Sequence, residues 1–561
     1  MKPLSNRIFL LSLALVGMSA VAACGGPRPA PGADAGSTTP PKPTTAIATP
    51  AKTAEAGDDL PWFRGSVEEA FALAKRERRP VFLYWGAVWC PPCHALRTKL
   101  FTRPEFRSRI AAAVAVYLDG DTERAQIWGE KLGTQGYPTV IVFDPDGHEI
   151  TRLDSSLPFE QYADVLSRAL DAARPISAIL ADAERSGPGS LSAPELHLLA
   201  FYAYDQDSVL NLTPERRRAL FDRFRRETPA EHRLEKSRFL ALDLEAWAEA
   251  AGESPAHAPS DAARAELAAA LPPLLADREL RNSNLALVLY DAGDVVRMLT
   301  PQPGPERDAL IADWNGAARQ LEDDADLTTD DRLSALMPQI ELARLAAGGT
   351  DDSAPLPAAL LDRVRERIRW AGGQVHDEDE MQAVMSTMTG LLQDAGLVDE
   401  AKTLLADKLG ETAAPYYYRG WLAGLEARTG HPQEAVADYR EAWQGARGAA
   451  GPGGAAMTPF RWGSNYLRQA MKLTPDSPAI ATDADTILDD LLSSPDAFSL
   501  GNWSRLETLA TAFETWRGTD AARGTVVDKV AARVHAVCGK FPGEGEDSPA
   551  ARCASLFGPK T

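Results

Sequence analysis

Cys90 and Cys93 stand two residues apart in "WCPPCH", and thiols at that spacing support two kinds of chemistry. They can cycle between dithiol and disulfide, one sulfur attacking a substrate bond and the other resolving the mixed disulfide. With His94 directly after them they also spell C-x-x-C-H, the pattern through which a c-type haem is attached. The six residues are compatible with both chemistries. The elements that position them are not.

The run "PVFLYWGAV" ahead of the motif is continuously apolar and has the length of a fully buried strand. Pro91 and Pro92 suit the first turn of a helix, so the thiols fall at a strand-to-helix junction. A haem loop normally sits in a small helical domain with a Met as distal ligand, and no Met occurs between Met18 and Met298. Dithiol chemistry is the consistent reading. Upstream, "SVEEAFALAKRERR" places Ser66 and Glu69 at capping-box spacing and Val67, Ala70, Phe71 and Ala74 on one helical face. Downstream, "AVAVYLDGD" reads as a strand and "TERAQIWGEKLG" as a helix closed by Gly133. "YPTVIVFD" is a strand turned by "DPDG" into "HEITRL", and "PFEQYADVLSRALDAA" is an amphipathic helix. The order β-α-β-α-β-β-α with a leading helix predicts an α/β domain over residues 60–175.

Strand, Trp-Cys-x-x-Cys, helix, and then Gly-Tyr-Pro-Thr before a later strand resemble the thioredoxin arrangement. Trp62, Ser66, Glu68, Glu69 and Ala70, then Pro80, Val81, Trp89, Cys90, Cys93, Phe101, Pro104 and Phe106, follow the pattern of exported thioredoxin-like domains. The C-terminal domain of membrane-linked thiol:disulfide interchange proteins is similar. The resemblance implies a thiol–disulfide oxidoreductase that needs no cofactor beyond its redox-active dithiol and no metal. Cys90, at a helix N-terminus that favours its thiolate, attacks; Cys93 resolves. Pro138 is expected to be cis, offering backbone to a substrate chain, and Trp89 to shield the sulfurs. Substrates would be protein disulfides, and an electron donor that the sequence leaves unidentified would recharge the site.

Two departures qualify that transfer. The family commonly carries a buried Asp six residues before the first cysteine; here that position is Tyr84, a poor base at neutral pH. The Pro91–Pro92 pair removes two backbone donors that could face the thiolate, which pushes the couple toward reduction of its substrates. His94 either stabilises the thiolate or relays a proton, or else lies at the surface as its usual lysine counterpart does.

From residue 176 to 561 the pattern is helical, with Leu and Ala at helical spacing in "LEKSRFLALDLEAWAEA" and "LLDRVRERIRWAGG". Gly396, Glu400 and Ala401 recur as Gly430, Glu434 and Ala435 at an offset of 34, with Met388 and Leu391 matching Leu422 and Leu425. The stretch 380–445 resembles two tetratricopeptide helix pairs, with Tyr439 and Ala442 filling the groove; an irregular helical array is the alternative. The fold class is thus an α/β thioredoxin-like domain followed by a large all-α helical-repeat domain, which has the character of a protein-binding surface.

The beginning of the chain is not part of that fold. Lys2 and Arg7, the apolar "IFLLSLALVGM", and "VAAC" resemble a lipoprotein signal, with residues 1–23 removed and Cys24 lipidated. Gly25 leans this toward the outer membrane, facing the periplasm, of a bacterial envelope. Residues 24–59, rich in Pro, Ala and Thr, read as a disordered tether. The 59 Lys+Arg against 79 Asp+Glu give a formal charge of −20, which argues against a nucleic-acid partner and leaves membrane attachment to the lipid. Of five cysteines, Cys538 and Cys553 remain, 15 apart and free to pair in an exported protein. The expected function is an anchored disulfide reductase; the rival is a helical interaction scaffold whose α/β domain mainly docks partners.

Overall fold

The computed structural model describes residues 60–348, 354–450, 457–543, 545 and 548–558. The signal segment, Cys24 and the whole tether lie outside the described residues. Among the described residues no helix is long and apolar enough to cross a membrane.

Helix α1 (Val67–Glu77) opens with the capping box: Ser66 Oγ accepts the Glu69 N–H at 3.0 Å, and Glu69 Oε2 accepts that of Ser66 at 2.8 Å. Strand β1 (Val81–Gly86) follows, then α2 (Pro91–Leu96), which continues as a π-helical turn over Arg97–Phe101. A short α3 (Pro104–Ile110), which the sequence reading had not separated, leads into β2 (Val114–Asp119). Helix α4 (Glu123–Lys131), β3 (Thr139–Phe143), β4 (Glu149–Leu153) and α5 (Phe159–Asp171) complete the unit. The sheet order is β2-β1-β3-β4, with β1 parallel to β2 and antiparallel to β3.

Every residue of β1 is buried because both faces are covered, as a central strand requires. Val81, Leu83 and Trp85 pack with α1 and with Ala125 of α4. Phe82 and Tyr84 point the other way, into a core with Cys90, Cys93, Phe101, Phe106 and Tyr162. Asp144 in the β3–β4 turn accepts the N–H groups of Asp146 and His148, and Gly147 takes φ of 91°, which the reversal needs.

After α5 the described residues form helices from Ile176–Ser186 to Pro549–Ser555 and no further strand. The array is clamped to the sheet at β4. Fully buried Arg152 donates to Leu132 O at 2.8 Å, to Glu149 and to Gln206 O, while Tyr202 OH donates to Glu149 and Asp207, both at 2.7 Å. Residues 240–345 enclose a separate core around Trp314. The helices Glu378–Asp394, Pro415–Arg428 and Met457–Leu473 instead share the core of the dithiol face. The α/β domain and the array are therefore joined by one continuous hydrophobic core. Within the 34-residue repeat, Gly396 and Gly430 both take positive φ, 76° and 84°. Each ends a helix with the same bond, Leu397 N–H to Leu392 O and His431 N–H to Glu426 O.

Candidate functional site

A buried strand aims the chain at the site and a proline pair turns it into a helix. Cys90 is the N-cap of α2, with extended φ and ψ, and Pro91 and Pro92 fill the first two positions, where their missing N–H groups cost nothing. Cys90 Sγ accepts the Cys93 N–H at 3.2 Å, and the two cysteines form a disulfide with Cα atoms 5.2 Å apart. The Tyr137–Pro138 bond is cis, immediately before β3.

Cys90, Cys93 and His94 are only 1–2 % exposed, because the array covers them. The surface alternative for His94 does not hold. Its Nδ1 lies 2.6 Å from Asp379 Oδ1, and its Nε2 lies 2.6 Å from Val88 O. Gln382, on the same array helix as Asp379, donates to Trp89 O at 2.8 Å and accepts the Ala414 N–H at 3.1 Å. Trp89 stacks on Tyr417 with centroids 5.7 Å apart and meets Trp462 edge-on at 5.5 Å. Its indole N–H donates to Asp121 Oδ2 at 2.7 Å. Asp121 also takes a bond from Thr458 and one from Arg461 at 3.1 Å, and the Arg461 guanidinium lies over the Trp89 ring at 4.6 Å.

Tyr84 occupies the place of the absent acid within an aromatic cluster, edge-on to Phe101 at 5.1 Å and stacked on Tyr117 at 5.4 Å. Burial drives its hydroxyl far above the usual phenol range, so it is no base. A carboxyl does reach that sheet face from the neighbouring strand. Ala115, Tyr117 and Asp119 alternate beside Phe82, Tyr84 and Gly86 in the β1–β2 register. Asp119 is pushed up to about 7, first by burial and then by the adjoining Asp121 carboxylate. Asp119 and Asp121 are absent from the residues that the thioredoxin resemblance picks out, although the alternation through "AVAVYLDGD" carries their signal. Nothing in the sequence marks Asp379, Gln382, Tyr417, Thr458, Arg461 or Trp462 as neighbours of the dithiol.

Cys538 and Cys553 form a second disulfide, Cα atoms 5.4 Å apart, at the far end of the array. Among the described residues no group of three or more His, Cys, Asp or Glu is arranged to hold a metal ion.

Residues 67–170 match the family model for a thioredoxin-like domain. The thiol:disulfide interchange protein DsbD of Cronobacter sakazakii is 33% identical to this chain over 81 residues. That match spans 14% of this chain and 14% of the length of the relative.

Proposed function

We propose that this thioredoxin-like domain is a thiol–disulfide oxidoreductase that reduces protein disulfides outside the cytoplasm, held to the bacterial envelope by a lipid on Cys24. The observation that carries the chemistry is Cys90 as the cap of α2, disulfide-bonded to Cys93 and accepting its N–H. In the reduced protein the Cys90 thiolate attacks a substrate disulfide, bonding one substrate sulfur and expelling the other as thiolate. Cys93 then gives up its proton and attacks Cys90 Sγ. The second substrate sulfur leaves, and the protein is left as the disulfide seen here. Two electrons from a dithiol donor restore it. Asp119, titrating near neutrality on the dithiol side of the sheet, is the carboxyl suited to take the Cys93 proton in place of the missing acid.

With Cys90 at 2 % exposure, a folded partner reaches its sulfur only after the array helices part from α2. That coverage favours a second reading, an interaction scaffold in which the tetratricopeptide-like array binds a partner and the dithiol turns over slowly. Insulin reduction separates the two. Steady turnover with a dithiol donor supports the oxidoreductase; a stoichiometric oxidation that stops after one cycle supports the scaffold. Cys93→Ala, expressed in the native envelope, should hold substrates covalently at Cys90, and recovering no mixed disulfide would count against the first reading.

A further inference from the structure

The two nitrogens of His94 each face an oxygen at 2.6 Å, one from the Asp379 carboxylate and one from the Val88 carbonyl. A carbonyl oxygen only accepts, so Nε2 must carry a proton. An ionised carboxylate only accepts, so Nδ1 must carry one as well. Moving the shared proton to Asp379 would leave that carboxyl neutral beside Arg97, whose Nη2 lies 3.8 Å from Asp379 Oδ2. The Asp379 carboxyl is held below its ordinary range chiefly by its bond to His94, against a smaller opposing effect of burial. The other charged pair at this junction, Lys99 and Glu380 at 4.0 Å, balances itself. His94 is thus almost fully buried and paired by a residue of the helical array rather than of its own domain.

Its position makes the charge matter to the sulfurs. Cys90 caps the helix and His94 lies one turn on, where its backbone N–H donates to Cys90 O at 3.2 Å. We propose that Asp379 is a positioning residue: by holding His94 in its doubly protonated form, the helical array stabilises the Cys90 thiolate and raises the reduction potential of the Cys90–Cys93 couple. The inference rests on the oxidoreductase reading and adds a regulator to it. The array sets how oxidising the dithiol is, and it opposes the reducing bias that Pro91 and Pro92 impart by withholding donors. A stabilised thiolate favours the reduced protein, which is the sense of the shift.

The test equilibrates the full-length protein with glutathione, in which the protein disulfide plus two glutathione thiols give the protein dithiol plus glutathione disulfide. Asp379→Asn should require about tenfold more reducing conditions for half-reduction, a fall of about 30 mV. Asp379→Glu should restore most of the wild-type value, and Glu380→Gln should leave it unchanged. His94→Gln should lower the potential alike, and adding Asp379→Asn to it should lower it no further. A wild-type potential in Asp379→Asn with unchanged helical content overturns the proposal. Should that variant not fold, a wild-type potential in His94→Gln overturns it equally. A wild-type dithiol that never equilibrates with glutathione defeats the oxidoreductase reading instead, and so the two failures are distinct.

Discussion

The molecule holds two disulfides of nearly equal reach, 5.2 Å and 5.4 Å between Cα atoms, in very different surroundings. Cys553 is fully buried in the terminal helix Pro549–Ser555, and both its sulfur and that of Cys538 lie 3.5 Å from Val534 O, near Val530 and Leu556. Among the described residues nothing charged bonds that pair. Around Cys90 and Cys93 stand a helix N-terminus, an imidazole bonded to a carboxylate, and an indole bonded to a second carboxylate that is itself gripped by Arg461. The covalent bond is the same. What distinguishes a site from a staple is the set of groups able to respond when charge appears on sulfur.

The largest effect should separate the two pairs by activity. Cys90→Ser should abolish insulin reduction, Cys93→Ser should accumulate mixed disulfides, and the double variant Cys538→Ser, Cys553→Ser should retain turnover. Equal loss from both pairs would erase the distinction. Next comes stability: opening the 15-residue loop should lower the unfolding free energy by about 3 kcal/mol in the chain-entropy picture, read from urea midpoints at constant slope.

The third effect depends on pH and has no counterpart at the terminal bridge. Asp119 releases its proton at an ordinary 3.8 when unfolded and at about 7 when folded. Between those values the folded state holds more protons, so this group's contribution falls as pH rises and levels off above 7. Asp119→Asn should therefore be more stable than wild type at pH 8 and nearly equal to it at pH 4. Parallel stability curves for the two proteins would show that the carboxyl is not buried as described. The smallest effect comes from cutting the short loop. Reducing Cys90–Cys93 alone with a mild thiol should cost about 1.6 kcal/mol, since three residues close little chain entropy. Mapping by alkylation should find those two cysteines labelled first.

Local features were legible in the sequence wherever one residue type serves one purpose. The unbroken apolar run of β1 and the Ser66–Glu69 box each predicted the backbone found there. The π-helical turn at Arg97–Phe101 and the separate α3 left no such mark, because "RTKLFTRPEFRSRI" suits one interrupted helix as well as two. "AVAVYLDGD" reads as a strand, but only the packing of the array over Asp121 makes the carboxylate at its end interior. The contacts that cover the dithiol were illegible for a simpler reason. Nothing in the periodicity of the Glu378–Asp394 helix says which surface its acidic first turn will meet.

That covering helix arrives late. Asp379 lies 285 positions after His94, so at ordinary synthesis rates of about 5–20 residues per second the two cysteines precede their cover by roughly 15–60 s. In that interval the α/β unit presents Trp89 and the apolar side of α2 without the array that buries them. The nascent chain and the finished protein consequently differ in who can reach the thiols. An oxidant or holding chaperone meets an open pair, whereas a mature partner meets a closed one.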